Sequence, residues 1–396
     1  MAKRLRFLQL SDVHLGAPLT GGRLALGEEC RRVRTRERNQ LFSKALDLLL
    51  ERDLDGLLLP GDLFDDEAVR VDQIRFVQRE LERVAPKPVF IAPGNHDPFG
   101  GASPYDAVIS SQTFNLSWPS NVHIFAHEDF RSVPWPQRED IRVSGCGVVA
   151  NVPSGTRRLA QALRKTAGAL NILLFHGSRD DGQWLQADKS TYPFSSQELL
   201  AQGFDWVALG HYHAQQTILG DDGRPRAAYA GSLTAGGLDE QGEKGALVVE
   251  LQDGACEVEF VALDQRRVRH VSCDLSGCAY EEEALRRAEA ALAESGAASG
   301  DMILLELRGR RALALPLDAL DILARGYFHL RIELSKLVPD IPLCDYPPAE
   351  QASTVEQRFV AQLRENVEQG DVTARQALFY GLDALHLGRL DTRYTD

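Results

Sequence analysis

The sequence predicts an α/β fold in which layered strands are flanked by helices. Short apolar stretches alternate with helical ones through the first half of the chain, a pattern typical of α/β folds. Five clusters of polar residues each come directly after one of the apolar stretches. At 396 residues the chain is too long for one ordinary core, so we expect two or three domains.

The composition is that of a soluble globular protein, with 44% hydrophobic and 26% charged residues. No segment has the apolar length needed to span a bilayer, and the apolar run after Met1 is too short for a signal peptide. The six cysteines include no C-x-x-C pair, which favours a reduced, cytoplasmic compartment. The formal net charge of −13 argues only weakly against a nucleic-acid partner, because carboxylates that bind divalent ions add to the negative count.

The N-terminal domain is predicted to span residues 1–264. Its strands are short apolar runs, and its helices carry apolar residues on one face. Alternating segments separated by Gly and Asp turns at 215–263 predict a series of β-hairpins that closes this domain. In chain order the other predicted elements are a strand at 7–10, a helix at 38–52, a strand at 57–59, a helix at 72–84, and strands at 89–91, 172–175 and 207–209.

The chain becomes basic just after Asp264, which indicates a domain boundary. Residues 265–337 predict a small α+β domain, and the four prolines of residues 338–348 indicate an extended linker. Residues 349–396 are predicted to form a helical segment that binds a partner. The elements predicted after the boundary are a helix at 281–295, strands at 302–307 and 332–334, and helices at 350–369 and 372–387.

Side chains of the five polar clusters are candidate metal ligands. Ligands of open α/β sheets bind at the carboxyl ends of the strands, so clusters distant in sequence can converge there. One histidine alone is more often structural, but five at strand ends, with His96 as the fifth beside the four listed next, are not explained in that way. The candidates are Asp12, His14, Asp62, Asn95, His176, His211 and His213. The remaining histidines lack such neighbours and are expected to be structural: His123, His127, His270, His329 and His386.

A mixed set of nitrogen and oxygen ligands without thiolate suits Mn²⁺, Fe or Zn²⁺. Seven ligands are too many for one ion but divide into two sites with one bridging carboxylate, for which Asp62 is the natural choice. Two ions about 3.5–4 Å apart form the arrangement used for phosphoester hydrolysis. His96, beside Asn95, is predicted to stabilise developing charge or protonate the leaving oxygen, and Asp97 to fix the tautomer of His96.

These motifs resemble the five signatures of the calcineurin-like metallophosphoesterases. The signatures are D-x-H at 12–14, G-D at 61–62, G-N-H-D at 94–97, His176, and G-H-x-H at 210–213. The sequence around them, such as LSDVHLG at 10–16 and PGDLFD at 60–65, is similar to that of bacterial DNA-repair exonucleases of the SbcD and YhaO type. These enzymes are relatives of the meiotic-recombination nuclease. Asp65 departs from the archaeal and eukaryotic members, which tend to carry histidine there.

The resemblance implies a layered β-sandwich flanked by helices, with a small α+β capping domain and C-terminal helices. It implies two Mn²⁺ ions and a DNA exonuclease or endonuclease that acts in double-strand break repair. The implied partners are DNA and an SMC-like ATPase subunit of the SbcC or YhaN type, and a homodimer is left open. It also implies that Asp12, His14, Asp62 and His213 hold one ion, and that Asp62, Asn95, His176 and His211 hold the other.

Two other functions are kept as alternatives. One is a phosphodiesterase or phosphatase for a small or protein substrate, which would need no domain after residue 264. The other is a binding module with a vestigial metal site, and the complete set of ligands argues against it.

Two segments carry predicted partner contacts. Residues 23–38 contain six arginines and three glutamates, a local charge of +3, and we predict that Arg31, Arg32 and Arg34 contact DNA phosphates. The alternative is an ordinary solvated face. The C-terminal helices are predicted either to pack on their own domain or to dock on the ATPase through a shared apolar face. That face includes Phe359, Leu363, Leu378 and Leu382.

Overall fold

A computed structural model of the chain describes residues 4–19, 24, 26–65, 69–100, 103–106, 116–150, 153, 155–181, 191–312 and 315–388. Arg23, counted in the basic segment, and residues 389–396 of the predicted C-terminal segment lie outside this description. The chain divides into two compact units, Met1–Gln265 and Arg266–Asp396. Within the described ranges, no helix is both long enough and apolar enough to cross a membrane.

The first unit is a sandwich of two six-stranded sheets, which confirms the predicted fold class. The first sheet has the order β12-β11-β1-β2-β3-β4, and β1 to β4 run parallel to one another. Its strands are β1 (Arg4–Gln9), β2 (Gly56–Pro60), β3 (Val89–Ala92), β4 (Val122–Ile124), β11 (Gly245–Gln252) and β12 (Ala255–Ala262).

The second sheet of this unit has the order β5-β6-β7-β8-β10-β9, and β6, β7, β8 and β10 run parallel. The β9–β10 and β11–β12 pairs are antiparallel, as the predicted hairpin series requires. The strands are β5 (Arg131–Trp135), β6 (Arg138–Gly145), β7 (Leu170–His176), β8 (Trp206–Gly210), β9 (Gln216–Leu219) and β10 (Pro225–Tyr229).

Apolar side chains from both sheets form the core between them. Phe7 and Phe90 of the first sheet belong to the same buried cluster as Ile172 and Trp206 of the second. The central strands β2, β3, β7 and β8 are buried along their whole length, which explains why they read as continuous apolar runs.

Helices cover the outer faces of the sandwich. The helices α1 (Glu28–Glu51) and α2 (Val71–Arg83) bury residues such as Phe42 and Val77 against the outer face of the first sheet. The short helix α3 (Ser196–Ala201) packs Leu199 with Phe175 of the second sheet.

Helix α1 begins ten residues before the predicted position. The sequence of its first turns is highly charged and resembles a solvated segment, but one of these charges forms a buried ion pair. Arg34 is fully buried and donates from Nη1 to Asp264 Oδ1 at 3.1 Å, with a second contact between Nη2 and Oδ2. The predicted phosphate contact of Arg34 is therefore wrong. Arg32 and Arg36 are exposed on the same helix.

The second unit contains a three-stranded parallel sheet in the order β13-β14-β15. Its elements are β13 (Val268–Asp274), α4 (Glu281–Glu294), β14 (Met302–Ala312), a 3₁₀ helix (Asp318–Gly326), β15 (His329–Asp340), α5 (Val355–Glu368) and α6 (Val372–Leu387). Because β15 runs to Asp340, residues 338–340 belong to a strand and not to the predicted linker. Short 3₁₀ turns at Leu343–Asp345 and Ala349–Gln351 follow.

The two C-terminal helices bury their apolar faces against each other. Leu378 and Leu382 of α6 form a cluster with Val360, and Phe359 and Leu363 of α5 pack on it. Leu378 and Leu382 are thus covered within the chain, as one of the two alternatives predicts, while docking of the helices on a partner stays a prediction. Inside this unit, the ion pair between Arg311 Nη1 and Asp383 Oδ2 at 2.6 Å ties α6 to β14.

Candidate metal centre

All seven predicted ligands lie in the first unit, where the carboxyl ends of five strands from both sheets meet. Asp12 and His14 follow β1, Asp62 follows β2, and Asn95 follows β3. His176 is the last residue of β7, and the last two ligands, His211 and His213, follow β8. The structure thus brings the seven side chains together, while their binding of metal stays a prediction.

The first group of donor atoms comes from Asp12, His14 and His213. The two Nε2 atoms of His14 and His213 are 3.2 Å apart. Ligand atoms of all three residues lie within 4.8 Å of one another. This spacing is short enough for one cation to contact all three.

The second group consists of Asn95, His176 and His211. Asn95 Oδ1 is 2.9 Å from His176 Nε2 and 3.0 Å from His211 Nδ1, and the two ring nitrogens are 3.2 Å apart. Asp62 joins the groups, since its Oδ2 atom lies 3.4 Å from His176 Nε2 and 3.7 Å from His14 Nε2. That position fits the predicted bridging role of Asp62.

Hydrogen bonds behind the imidazoles decide which nitrogen faces the centre with a lone pair. His213 places Nδ1 2.7 Å from Glu240 Oε1, and His176 places Nδ1 3.0 Å from the carbonyl oxygen of Pro60. Because both partners are acceptors, each Nδ1 carries the proton and each Nε2 is left as an acceptor. Acceptors that face other acceptors, such as His176 Nε2 and Asn95 Oδ1, repel unless a cation lies between them. The donor set therefore fits divalent ions.

Backbone strain is concentrated at the ligands. Asp12, His14, Asp62 and His211 have positive φ angles of 50°, 49°, 51° and 116°. For residues other than glycine such conformations cost about 1–3 kcal/mol each, and they persist where the surroundings impose them, often at functional sites.

Glycines directly before ligands leave the space that this crowding needs. A Cβ atom on Gly61 would collide with the His176 ring, one on Gly94 with the Asp62 carboxylate, and one on Gly210 with the Pro60 carbonyl. The repeated pattern of glycine before a ligand is thus a packing requirement of the centre.

The predicted catalytic residue His96 lies at the accessible side of the centre. Its side chain is 45% exposed, and its ring meets the ring of His14 edge-on at 4.8 Å. Asp65 lies behind both rings, with its oxygens 3.8 Å from His96 Nδ1 and 3.6 Å from His14 Nδ1. Contacts with these two imidazoles hold the pKa of Asp65 below its usual range. Asp65, not Asp97, is therefore the carboxylate that can orient His96.

Asp97 has a structural role in place of the predicted catalytic one. Its oxygens accept hydrogen bonds from the backbone N–H groups of Asp62 (3.2 Å), Phe64 (3.0 Å) and Gly94 (2.7 Å), and from the hydroxyl of Tyr105. Burial, and next the charge of Asp62, raise the pKa of Asp97 to about 7. Asp97 thus joins the loops that carry Asp62 and Asn95.

Three further supporting residues were not identified from the sequence. Arg38 is buried and donates to the backbone oxygen of His14 at 2.6 Å, and burial lowers its pKa to about 10. Glu240 holds the ring of His213, and Lys244 Nζ donates to the His213 carbonyl at 2.8 Å. None of the three adjoins a ligand in sequence, so no local pattern connects them with the centre.

One known protein family matches more than half of the chain. A sequence profile of the calcineurin-like phosphoesterase family matches residues 5–215, more than half of the chain. The chain belongs to that family, and it is therefore a hydrolase of the metallophosphoesterase class.

Two relatives and one solved structure illustrate its similarities. The chain is 26% identical over 267 residues to the uncharacterized metallophosphoesterase YhaO of Bacillus subtilis (strain 168), covering 66% of this chain and 60% of the relative. It is 24% identical over 306 residues to the DNA double-strand break repair protein Mre11 of Sulfurisphaera tokodaii, covering 72% of this chain and 69% of the relative. A dimetal phosphatase from Danio rerio covers 66% of this chain and 99% of its own, at 11% identity and a TM-score of 0.38. The matched stretch thus spans less than two thirds of the YhaO protein.

Proposed function

We propose that this protein is a two-metal phosphodiesterase that cleaves DNA, with Mn²⁺ as its working ion and double-strand break repair as its role. The observation that carries the choice of substrate is the extent of the similarity to Mre11. That match covers 72% of the 396 residues, or about 285, which is more than the 265 residues of the first unit. It therefore reaches into the second unit, which a hydrolase of small esters would not need.

The chain's own residues divide the chemical work. Asp12, His14 and His213 would hold one ion and Asn95, His176 and His211 the other, with Asp62 between them. Bound divalent ions supply Lewis acidity toward phosphoryl oxygens and activate water at neutral pH.

His96 completes the chemistry from the accessible side. Its Nδ1 faces Asp65, so the opposite edge of the ring with Nε2 is available to a phosphodiester. From there it would stabilise the developing charge or give a proton to the leaving oxygen.

The direct test compares two substrates. Purified protein with Mn²⁺ is incubated with end-labelled duplex DNA and, separately, with bis-p-nitrophenyl phosphate. We expect both to be hydrolysed, and DNA cleavage to fall ~10²–10⁴-fold in the His96→Ala variant. Hydrolysis of the chromogenic ester without any cleavage of duplex or single-stranded DNA would replace this proposal with a phosphodiesterase for small substrates.

The SMC-like ATPase is proposed as the partner on the family resemblance, with its contacts on the outer side of the helix pair. Truncation of α5 and α6 would be a poor test, because it would leave Arg311 buried without Asp383. Two exposed apolar side chains offer a better one. Val355 is 74% exposed and Leu385 is 50% exposed, and their neighbours Glu356 and His386 are in contact at 3.1 Å.

The partner test therefore uses surface substitutions. We expect Val355→Glu with Leu385→Glu to abolish co-purification with the ATPase while hydrolysis of the chromogenic ester is unchanged. Ile322→Glu, at a residue that is 54% exposed on the 3₁₀ helix, is the matched control. If the double variant still co-purifies undiminished, the interface does not lie at this end of the helix pair.

A further inference from the structure

The imidazoles of the two donor groups have different partners behind them. In the first group, His213 donates from Nδ1 to the carboxylate of Glu240 at 2.7 Å, and His14 has the carboxylate of Asp65 3.6 Å from its Nδ1. In the second group, His176 has its Nδ1 3.0 Å from the carbonyl oxygen of Pro60. Negative charge thus lies behind both imidazoles of the first group, while the partner of His176 is a neutral peptide oxygen.

Glu240 is held firmly for this role. Its second oxygen, Oε2, lies 3.2 Å from Lys244 Nζ and accepts from the backbone N–H of Gly236 at 3.2 Å and from Ser232 Oγ at 3.3 Å. Lys244, itself 3% exposed, also donates to the carbonyl oxygen of His213 at 2.8 Å. The ring and the backbone of His213 are therefore both fixed before any ion arrives.

A carboxylate that accepts a hydrogen bond from a ligand imidazole makes the far nitrogen more basic and fixes its direction, and removing such a partner typically weakens metal binding ~10–100-fold. A carbonyl oxygen fixes the direction but adds no full charge. The two donor groups therefore differ in the groups behind the ligands as well as in the ligands themselves.

We infer that the two ion sites are unequal, with tight binding at the group of Asp12, His14 and His213 and a weaker, exchangeable ion at the group of Asn95, His176 and His211. Glu240 is a positioning residue that contributes to the difference through His213. The inference rests on the proposed two-metal function. It predicts that at limiting metal the chain holds one ion, and that the second binds only as the concentration rises.

The test measures each site alone, so that repulsion between two ions does not enter. His176→Asn leaves the first group intact, and His213→Asn leaves the second. Metal-free protein is titrated with Mn²⁺, and free Mn²⁺ is followed by its electron paramagnetic resonance signal. We expect the His176→Asn protein to bind Mn²⁺ at least tenfold more tightly than the His213→Asn protein.

Glu240→Gln is then added to each single-site variant. The amide keeps a hydrogen-bond acceptor for His213 but removes the charge. We expect this change to weaken Mn²⁺ binding ~10–100-fold in the His176→Asn background and less than about threefold in the His213→Asn background. In Glu240→Gln the charge of Lys244 is left without its partner, which could disturb folding. The double variant Glu240→Gln with Lys244→Gln removes both charges and keeps a hydrogen-bonding amide at each position. We expect the same difference between the two backgrounds.

Tighter binding by the His213→Asn protein, or equal weakening by Glu240→Gln in both backgrounds, would overturn the inference and leave the two-metal function standing. An unaltered chain that binds no Mn²⁺ at all would instead contradict the proposed function.

Discussion

The metal centre of the first unit and the Arg311–Asp383 pair of the second bury charge in opposite ways. At the centre, Asp12, Asp62 and several imidazoles direct acceptor atoms toward one another within 4.8 Å. In the second unit, Arg311 meets Asp383 at 2.6 Å and also donates to the backbone oxygen of Leu315 at 2.6 Å. Both regions are buried, yet only in the ion pair does each charge meet its counter-charge within the described part of the chain.

The difference shows how the role of a buried charged group, structural or functional, can be inferred. A cation beside an anion is a structural element, whose removal leaves one uncompensated charge. Acceptors facing acceptors are unfavourable alone and imply a positive ligand from outside the described residues. This criterion separates function from stability without any motif.

The largest expected effect is that of Asp62→Ala. Because Asp62 Oδ2 lies near both His14 Nε2 and His176 Nε2, the variant should lose both ions. Hydrolysis of the chromogenic ester should fall on the order of a thousandfold or more, since each ion supplies several kcal/mol of transition-state stabilisation. Metal content by mass spectrometry and initial rates check this, with Asp222→Ala in the exposed β9–β10 turn as control. Retention of two ions would show that Asp62 is not the bridge.

His96→Ala should separate catalysis from metal binding. Loss of a general acid typically costs ~10²–10⁴-fold in rate, so cleavage should fall by that factor while about two ions per chain remain. His96 lies within 4.8 Å of ligand atoms of His14 and Asp62, and the metal content is therefore the deciding measurement. If the His96→Ala protein is depleted of metal to the same extent as Asp62→Ala, His96 is a metal ligand.

Arg311→Leu should lower the free energy of unfolding by about 3–5 kcal/mol, because it leaves Asp383 buried and uncompensated. Urea denaturation measures the change. Arg310→Leu in the same strand is the matched control. Its pair with Asp340 is largely exposed, so the loss should stay below about 1 kcal/mol.

The double variant Arg311→Met with Asp383→Leu should recover most of the lost stability, since apolar pairs often replace buried ion pairs at little cost. Chromogenic hydrolysis should be unaffected throughout. No recovery in the double variant would mean that Arg311 acts through more than this pair.

The sequence was most informative where side chains share one chemical purpose. The strand ends carrying Asp12, Asp62 and His211 were predictable, because an apolar run followed by a metal-type residue is a local pattern. Asp65 and Glu240 were not, since their roles depend on distances between chain segments that no periodicity encodes. Asp97 was assigned to catalysis because it adjoins His96 in sequence, although its oxygens are used by other loops.

In the second unit the same limit appears as an apolar face for which the sequence left two alternatives open. An apolar stripe on α6 predicts that something covers Leu378 and Leu382, but it cannot say what. The reason for Gly381 and Asp383 on this helix is visible only in the tertiary structure. A Cβ atom on Gly381 would collide with the ring of Phe359, and Asp383 meets Arg311. Partners of a helix face are set by tertiary contacts, and the sequence pattern is silent on them.

The smallest expected effect concerns the arginines of one helix, which differ in whether an anion of the chain pairs with them. On α1, Arg34 is buried against Asp264, whereas Arg32 and Arg36 are exposed. If the exposed pair contacts DNA phosphates, Arg32→Ala with Arg36→Ala should reduce the slope of log affinity against log salt by about 2, since each phosphate contact contributes about 0.9. Arg34→Ala should leave that slope unchanged and instead destabilise the fold by about 3–5 kcal/mol, because Asp264 would lose its partner. Fluorescence anisotropy of duplex DNA at several salt concentrations measures the slope. A changed slope for Arg34→Ala, or none for the double variant, would mean that exposure on α1 does not mark the DNA contacts.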